Sequence, residues 1–169
     1  MLSYQHLYHA GNLADVQKHA TLAWVLDYMT AKDKPLSYIE THAGRGVYDL
    51  GADEALKTGE AAAGIALAEA LFPPDHPYRL RLDETRAGYG AQAYPGSPLI
   101  AALGLRETDT LHLAELHPQE CAELRAVAGD WGAHVYQQDG FQLAQALTPP
   151  TPRRGLMLID PSYEVKADY

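Results

Sequence analysis

Apolar residues recur with helical spacing between Leu13 and Ala31, where Leu22, Val25, Leu26 and Met29 stand at i, i+3, i+4 and i+7. Gly11 and Asn12 precede this run and Pro35 stops it, so a helix with one apolar stripe is expected there. Leu36-Ser37-Tyr38-Ile39-Glu40 then reads as a short strand running into a glycine-rich turn, Thr41-His42-Ala43-Gly44-Arg45-Gly46. Later the pattern predicts a helix from near Ser97, a strand over Thr110 to Leu116, and a helix opened by Pro118 with Glu120 in its first turn. A strand from His134 to Gln138, a helix from Phe141 to Leu147 and a strand from Gly155 to Ile159 follow. Strands alternating with helices predict an α/β protein with a parallel, doubly wound sheet.

The alternation breaks between Tyr48 and Pro95. An Ala-rich helix is expected around Glu60 to Leu71, followed by Pro73, Pro74 and Pro77 and then by polar, tyrosine-rich sequence. Residues 49–95 are read as an inserted helical subdomain, and 1–48 with 96–169 as the main domain.

Composition narrows the function classes. The 169 residues, 47% hydrophobic and 21% charged, are enough for one sizeable core. A single cysteine, Cys121, excludes an intramolecular disulfide and a cysteine zinc cage, and its place beside Glu120 suits a small buried apolar group. No run approaches the roughly 18 apolar residues of a membrane span, and the N-terminus lacks a basic, then apolar, leader, so a cytoplasmic protein is expected. The 13 Lys and Arg against 22 Asp and Glu give a net charge of -9, the wrong sign for a nonspecific polyanion binder. Arg79, Arg81, Arg86, Arg153 and Arg154 still allow local basic patches.

In an open parallel sheet the ligand lies beyond the carboxyl ends of the strands. All four expected strands end in an acid: Glu40, Glu115, Asp139 and Asp160. Such acids repel one another unless they bind hydroxyls, amines or a cation. Gly44-x-Gly46 permits a tight bend and close approach of a ligand, although a plain strand-to-helix turn has the same glycines. Without the insert, Glu115 lies about 20 residues beyond that turn, the separation of an acid that grips a ribose. Asp139-Gly140 would meet an adenine ring, or Asp139 simply caps the helix that follows. The apolar strand ending in Asp160-Pro161-Ser162-Tyr163 offers an acceptor for an exocyclic amine, a backbone carbonyl and an aromatic face, or else only a proline turn. His6, His9, His19 and His42 raise a metal, but none is required, and His19 shares the face of Leu22 and Leu26, where a buried histidine also fits.

Several motifs together carry a resemblance. They are Met1-Leu2-Ser3-Tyr4, the run His9-Ala10-Gly11-Asn12-x-Ala14-Asp15-Val16-x-Lys18-His19, Thr41-His42-Ala43-Gly44-x-Gly46, Tyr94-Pro95-Gly96-Ser97-Pro98, Glu115-Leu116-His117-Pro118 and Asp160-Pro161-x-Tyr163-Glu164. In this order the chain closely resembles the bacterial RlmJ family, enzymes that use S-adenosyl-L-methionine to methylate N6 of an adenine in 23S ribosomal RNA. The resemblance implies a Rossmann-like methyltransferase fold and places His19, His42, Ser97, Glu115, Asp139, Gly140 and Asp160 on cofactor contacts, with Lys18 in the same N-terminal motif. It implies Asp160, Pro161 and Tyr163 as the catalytic group and Tyr4 and Tyr163 as RNA contacts. The implied partner is 23S rRNA before ribosome assembly is complete, with no membrane and no obligate protein partner.

Two departures bear on activity. Ser162 stands where the family has a proline, restoring a rotatable φ and an N–H, so slower catalysis is expected. The sequence ends soon after the fourth strand, so the C-terminal strands of the related fold, and with them an RNA-binding face, are expected to be missing. An NAD(P)-dependent oxidoreductase shares the glycine turn and distal acid, and a catalytically weak RNA-binding or assembly module suits the two departures.

Overall fold

The protein is described by a computed structural model over residues 5–162. In chain order it comprises α1 (Leu13–Thr30), β1 (Ser37–Glu40), β2 (Val47–Asp49), α2 (Asp53–Thr58), α3 (Glu60–Ala63), α4 (Ile65–Ala68), α5 (Pro77–Tyr89) and β3 (Ala93–Pro95). Then follow α6 (Ser97–Gly104), β4 (Thr110–Ala114), α7 (Pro118–Val127), β5 (His134–Tyr136), α8 (Gly140–Leu147) and β6 (Gly155–Leu158).

The main sheet has the order β5-β4-β1-β6, and every pairing in it is parallel. Ser37 is in register with Thr110 on one side and Gly155 on the other. The chain steps outward from β1 to β4 and β5 and then returns across β1 to β6, so the direction of winding reverses between β1 and β6. That reversal opens a crevice at the carboxyl ends of these two strands, the place where open α/β sheets bind ligands.

The strands are shorter than their apolar runs predict. β4 stops at Ala114, β5 at Tyr136 and β6 at Leu158, so Glu115, Asp139 and Asp160 lie just past their strands and only Glu40 ends one. The cause is local. The Glu115 amide still donates to Tyr136, but two residues on the His117 amide turns back to the Glu115 carboxylate, at the bend into α7. Asp139 leaves the sheet to cap α8.

One face of the sheet, carrying Leu36, Tyr38, Leu111 and Leu113, packs beneath Leu22 and Leu26 of α1 and Ile100 of α6 in a single buried cluster. The segment 49–95 is tied at its base by the antiparallel pair β2 and β3, and it contributes Ile65, Tyr78, Leu82 and Tyr94 to that same cluster. Its Ala-rich stretch is not one helix. It breaks at Gly64, where an added Cβ would stand 2.1 Å from the Gly11 carbonyl oxygen, and the Ile65 amide donates to that oxygen at 2.8 Å. Backbone there touches backbone, and the uniform Ala spacing gives no sign of it.

At its far end α1 is closed by two arginines. Arg106 donates to the carbonyls of Thr30, Lys32 and Lys34, and Arg154 to those of Met29 and Lys34, satisfying acceptors that a helix end leaves open. No helix among the described residues is long and apolar enough to cross a membrane.

Candidate active site

The N-terminal end of α1 lies at the carboxyl rim of the sheet. Asn12 starts the helix by accepting the Asp15 amide at 2.9 Å, which sets Asp15, Lys18 and His19 on one face, at i, i+3 and i+4. Asp15 is buried and accepts from the Gly11 amide at 3.0 Å, lies 2.7 Å from His6 Nε2, and pairs with Lys18 at 3.2 Å. Burial works against its charge, but His19, the His6 hydrogen bond and the Lys18 ammonium override it and hold the carboxyl well below the usual range. Lys18 also reaches Asp160, Nζ to Oδ2, at 2.7 Å. Burial alone would lower the ammonium's pKa, yet Asp15 and Asp160 keep it above its ordinary value, so Lys18 is a fixed cation between two acids.

Glu40, the last residue of β1, is buried behind the cleft-lining Ser97. It is 1% exposed and receives the Tyr38 hydroxyl at 2.9 Å and the Ser97 hydroxyl on its other oxygen. Burial pushes its pKa up to about 8, against the pull of the two hydroxyls and Lys18. The buried carboxyl therefore keeps its proton to a higher pH than an ordinary glutamate.

The turn after β1 shapes the opposite wall. Gly44 has φ +67°, and a Cβ on it would come 2.5 Å from the Tyr48 hydroxyl, so both its conformation and its space call for glycine. Its amide donates to Glu115 Oε2 at 2.7 Å while the His117 amide donates to Oε1 at 2.7 Å, which fixes the carboxylate by backbone on both oxygens. Arg45 makes a forked pair with buried Glu120 at the start of α7, with Nε at 2.9 Å, and so ties the turn to that helix. His42 lies 2.7 Å from the Thr41 hydroxyl through Nδ1, with its ring edge-on to Phe141 at 5.3 Å.

These groups converge. Lys18, His19, His42, Ser97, Glu115 and Asp160 line one cleft together with His6, Gly44, Tyr48 and Glu120. Six of the sequence-predicted residues thus meet in a single place. Asp139 and Gly140 are not among that cleft's lining residues: the Asp139 carboxylate accepts the Gln142 amide at 2.9 Å as a helix cap, and a Cβ on Gly140 would fall 2.0 Å from the Thr41 carbonyl. Gly140 is therefore required by the close approach of α8 to the turn after β1. Pro161 lines a second cavity across the Lys18–Asp160 pair, together with His6, Asn12, Asp15 and Ile159. Tyr4 and Tyr163 lie outside the described residues.

Glu40, His6, Tyr48 and Glu120 are the site groups that the resemblance did not place on the cofactor or the RNA. Glu40 had a signal, as the acid that ends the first strand; Tyr48, spaced from Gly44 by one bend, had none. Cys121 is buried, as its apolar reading implies. Among the described residues no group of three or more His, Cys, Asp or Glu side chains could hold a metal ion; His6 and His9 instead face Asp15 and Glu60.

A parallel sheet wound in opposite directions from β1, with glycine turn, distal acid and cleft all at its carboxyl rim, defines a Rossmann-like α/β protein. Residues 33–169 match the family described as ribosomal RNA large subunit methyltransferase D, RlmJ. The chain belongs to this family. It is 47% identical over 176 residues to ribosomal RNA large subunit methyltransferase J of Escherichia coli (strain K12) and 44% identical over 174 to the protein of the same name from Haemophilus influenzae. Each match covers 100% of this chain and 62% of the relative, so the chain spans under two thirds of their length. A crystal structure of a Legionella pneumophila protein superposes with a TM-score of 0.81 at 41% identity, covering 95% of this chain and 61% of that one.

Proposed function

We propose that the chain carries the cofactor cleft and catalytic acid of an S-adenosylmethionine-dependent methyltransferase acting on adenine N6 in 23S ribosomal RNA. The observation that carries this reading is the Lys18–Asp160 pair, set at the β1/β6 crevice between the cleft and a second cavity.

The donor set suits the cofactor. Glu115, Glu120 and Asp160 line the cleft with Lys18; Glu120 is paired with Arg45 and Asp160 with Lys18, so Glu115, held by backbone amides, is the carboxylate left to meet a ligand's hydroxyls. Glu115 would hold the ribose hydroxyls, since two backbone amides fix the carboxylate and leave lone pairs on both oxygens. Ser97, His19 and His42 would hold the remaining polar groups. Bound there, S-adenosylmethionine supplies an electrophilic methyl group.

Asp160 does the orienting work. Lys18 holds Oδ2, which leaves Oδ1 to accept a hydrogen bond from the target amine and aim its lone pair. The Pro161 carbonyl would share the second amine hydrogen. Asp160 has no need to deprotonate a neutral amine beforehand, because the nitrogen becomes strongly acidic as it is methylated. Tyr163 would stack on the extruded base, Tyr4 would contact the RNA, and 23S rRNA in an incompletely assembled particle is the proposed partner.

The test is transfer of a labelled methyl group from S-adenosylmethionine to unmethylated 23S rRNA, by this chain and by a fusion that adds the portion of the E. coli relative outside the match. Label recovered as N6-methyladenine from either protein is the expected result. Cofactor binding without transfer by either would remove the RNA assignment, and binding of NADH with none of S-adenosylmethionine would remove the cofactor assignment.

A further inference from the structure

Behind the cleft three buried rings form a hydrogen-bonded row. His19 Nδ1 lies 3.0 Å from the Tyr94 hydroxyl, and that hydroxyl lies 2.9 Å from the hydroxyl of Tyr78. The three groups come from α1, β3 and α5, so the row starts at the cleft and ends inside the 49–95 segment. Tyr78 and Tyr94 are both 0% exposed and His19 is 1% exposed.

The protons in this row can be assigned by counting donors and acceptors. Each phenol carries one proton, and burial raises both phenol pKa values, so neither ionises. Burial pushes His19 down to about 3 against the pull of Asp15, so its ring is neutral and has one N–H. If Nδ1 held that hydrogen, it would donate to Tyr94, Tyr94 would donate to Tyr78, and the Tyr78 proton would have no acceptor within a dry interior. If Tyr78 donates to Tyr94 and Tyr94 donates to Nδ1, both phenolic protons are accepted. A buried donor without an acceptor costs more than an acceptor with one lone pair unused, and the Nε2–H of the second arrangement opens to the cleft that His19 lines rather than being sealed in the interior, so the second arrangement prevails.

We infer that Tyr94 and Tyr78 are positioning residues that fix His19 as the Nε2–H tautomer, so that the cleft presents a neutral imidazole N–H donor to an acceptor atom of its ligand. The 49–95 segment thereby helps to set the chemistry of a wall it does not itself line. Only the identity of the ligand rests on the methyltransferase reading; the tautomer does not.

The test is long-range proton–nitrogen correlation NMR on the chain labelled with ¹⁵N-histidine, with the His19 signals identified among the eight histidines by their loss in His19→Gln. The wild type should show a protonated Nε2 and a bare Nδ1. Tyr94→Phe should bring in the Nδ1–H form and weaken S-adenosylmethionine binding about tenfold, while Tyr78→Phe should do the same to a smaller degree, since Tyr94 keeps its proton for Nδ1. A wild-type Nδ1–H signal overturns the inference, and so does a tautomer unchanged in Tyr94→Phe. Should Tyr94→Phe not fold, the wild-type spectrum and Tyr78→Phe decide the matter. A correct tautomer with no S-adenosylmethionine binding leaves the inference standing and counts against the cofactor assignment alone.

Discussion

The two halves of the carboxyl rim hold their acids by different means. On the β1/β6 side, Glu40 and Asp160 are held by side chains: Glu40 by its neighbour Tyr38 and by Ser97, 57 residues away, and Asp160 by Lys18, 142 residues away. On the β4/β5 side, Glu115 and Asp139 are held by backbone amides, His117 and Gly44 for the first and Gln142 for the second. Backbone amides cannot titrate and hardly move, so that side offers a fixed seat. Side-chain partners carry charge and protons, so the β1/β6 side is the one whose electrostatics can be tuned, and the acid proposed for chemistry stands there.

The largest effect expected from breaking this contrast is Asp160→Ala, which should cut methyl transfer by about 10³-fold while the far-ultraviolet dichroism persists. Substantial residual turnover would take the central role from Asp160. Lys18→Met should come next. It strips both Asp15 and Asp160 of their cation, and urea unfolding should show a loss of about 3 kcal/mol. A loss below about 1 kcal/mol would mean that His6 and the Gly11 amide suffice for Asp15.

Glu40 gives the contrast a pH axis. Its folded pKa is raised to about 8 from an ordinary 4.5, so between those values the folded state retains a proton that the unfolded state has lost. Its contribution to stability is therefore full below pH 4.5 and is lost as pH rises toward 8, with a limiting slope of about 1.4 kcal/mol per pH unit. Glu40→Gln should flatten the stability profile over this window, as measured by urea midpoints from pH 5 to 9. Equal profiles for the two proteins would show that Glu40 does not titrate there. On the β4/β5 side, Glu115→Gln should weaken S-adenosylmethionine binding about tenfold by calorimetry. The smallest change belongs to Asp139→Ala, worth about 1 kcal/mol of stability as a lost helix cap and leaving cofactor affinity near wild type.

The same division explains what could be read from the sequence. Asn12, Asp139 and the alternation of strands and helices act over three or four residues, and the α/β class, the place of α1 and the acids at the rim were all legible from such spacing. Partners separated by long stretches of chain were not. Nothing near Glu40 announces Ser97, and nothing near Arg45 announces Glu120, 75 residues away. The strand ends were read too far because Leu116 and Gln138 continue the apolar or extended pattern, whereas β4 and β5 end ahead of Glu115 and Asp139, the carboxylates that accept backbone amides. The resemblance placed His19 on the cofactor, while its helical face also suited a buried core histidine. It serves as a buried ring that also lines the cleft.

The contact at Gly64 has a practical meaning for protein engineering. The Gly11 carbonyl serves as the acceptor for Ile65 and leaves no room for a side chain on residue 64, so residues 49–95 behave as a keyed part rather than a loose insertion. Anyone grafting this segment between relatives would have to carry the key with it. A graft that preserved every apolar residue but placed alanine at 64 would fail to seat against the loop that starts α1, and with it the cleft-lining end of that helix would lose its register.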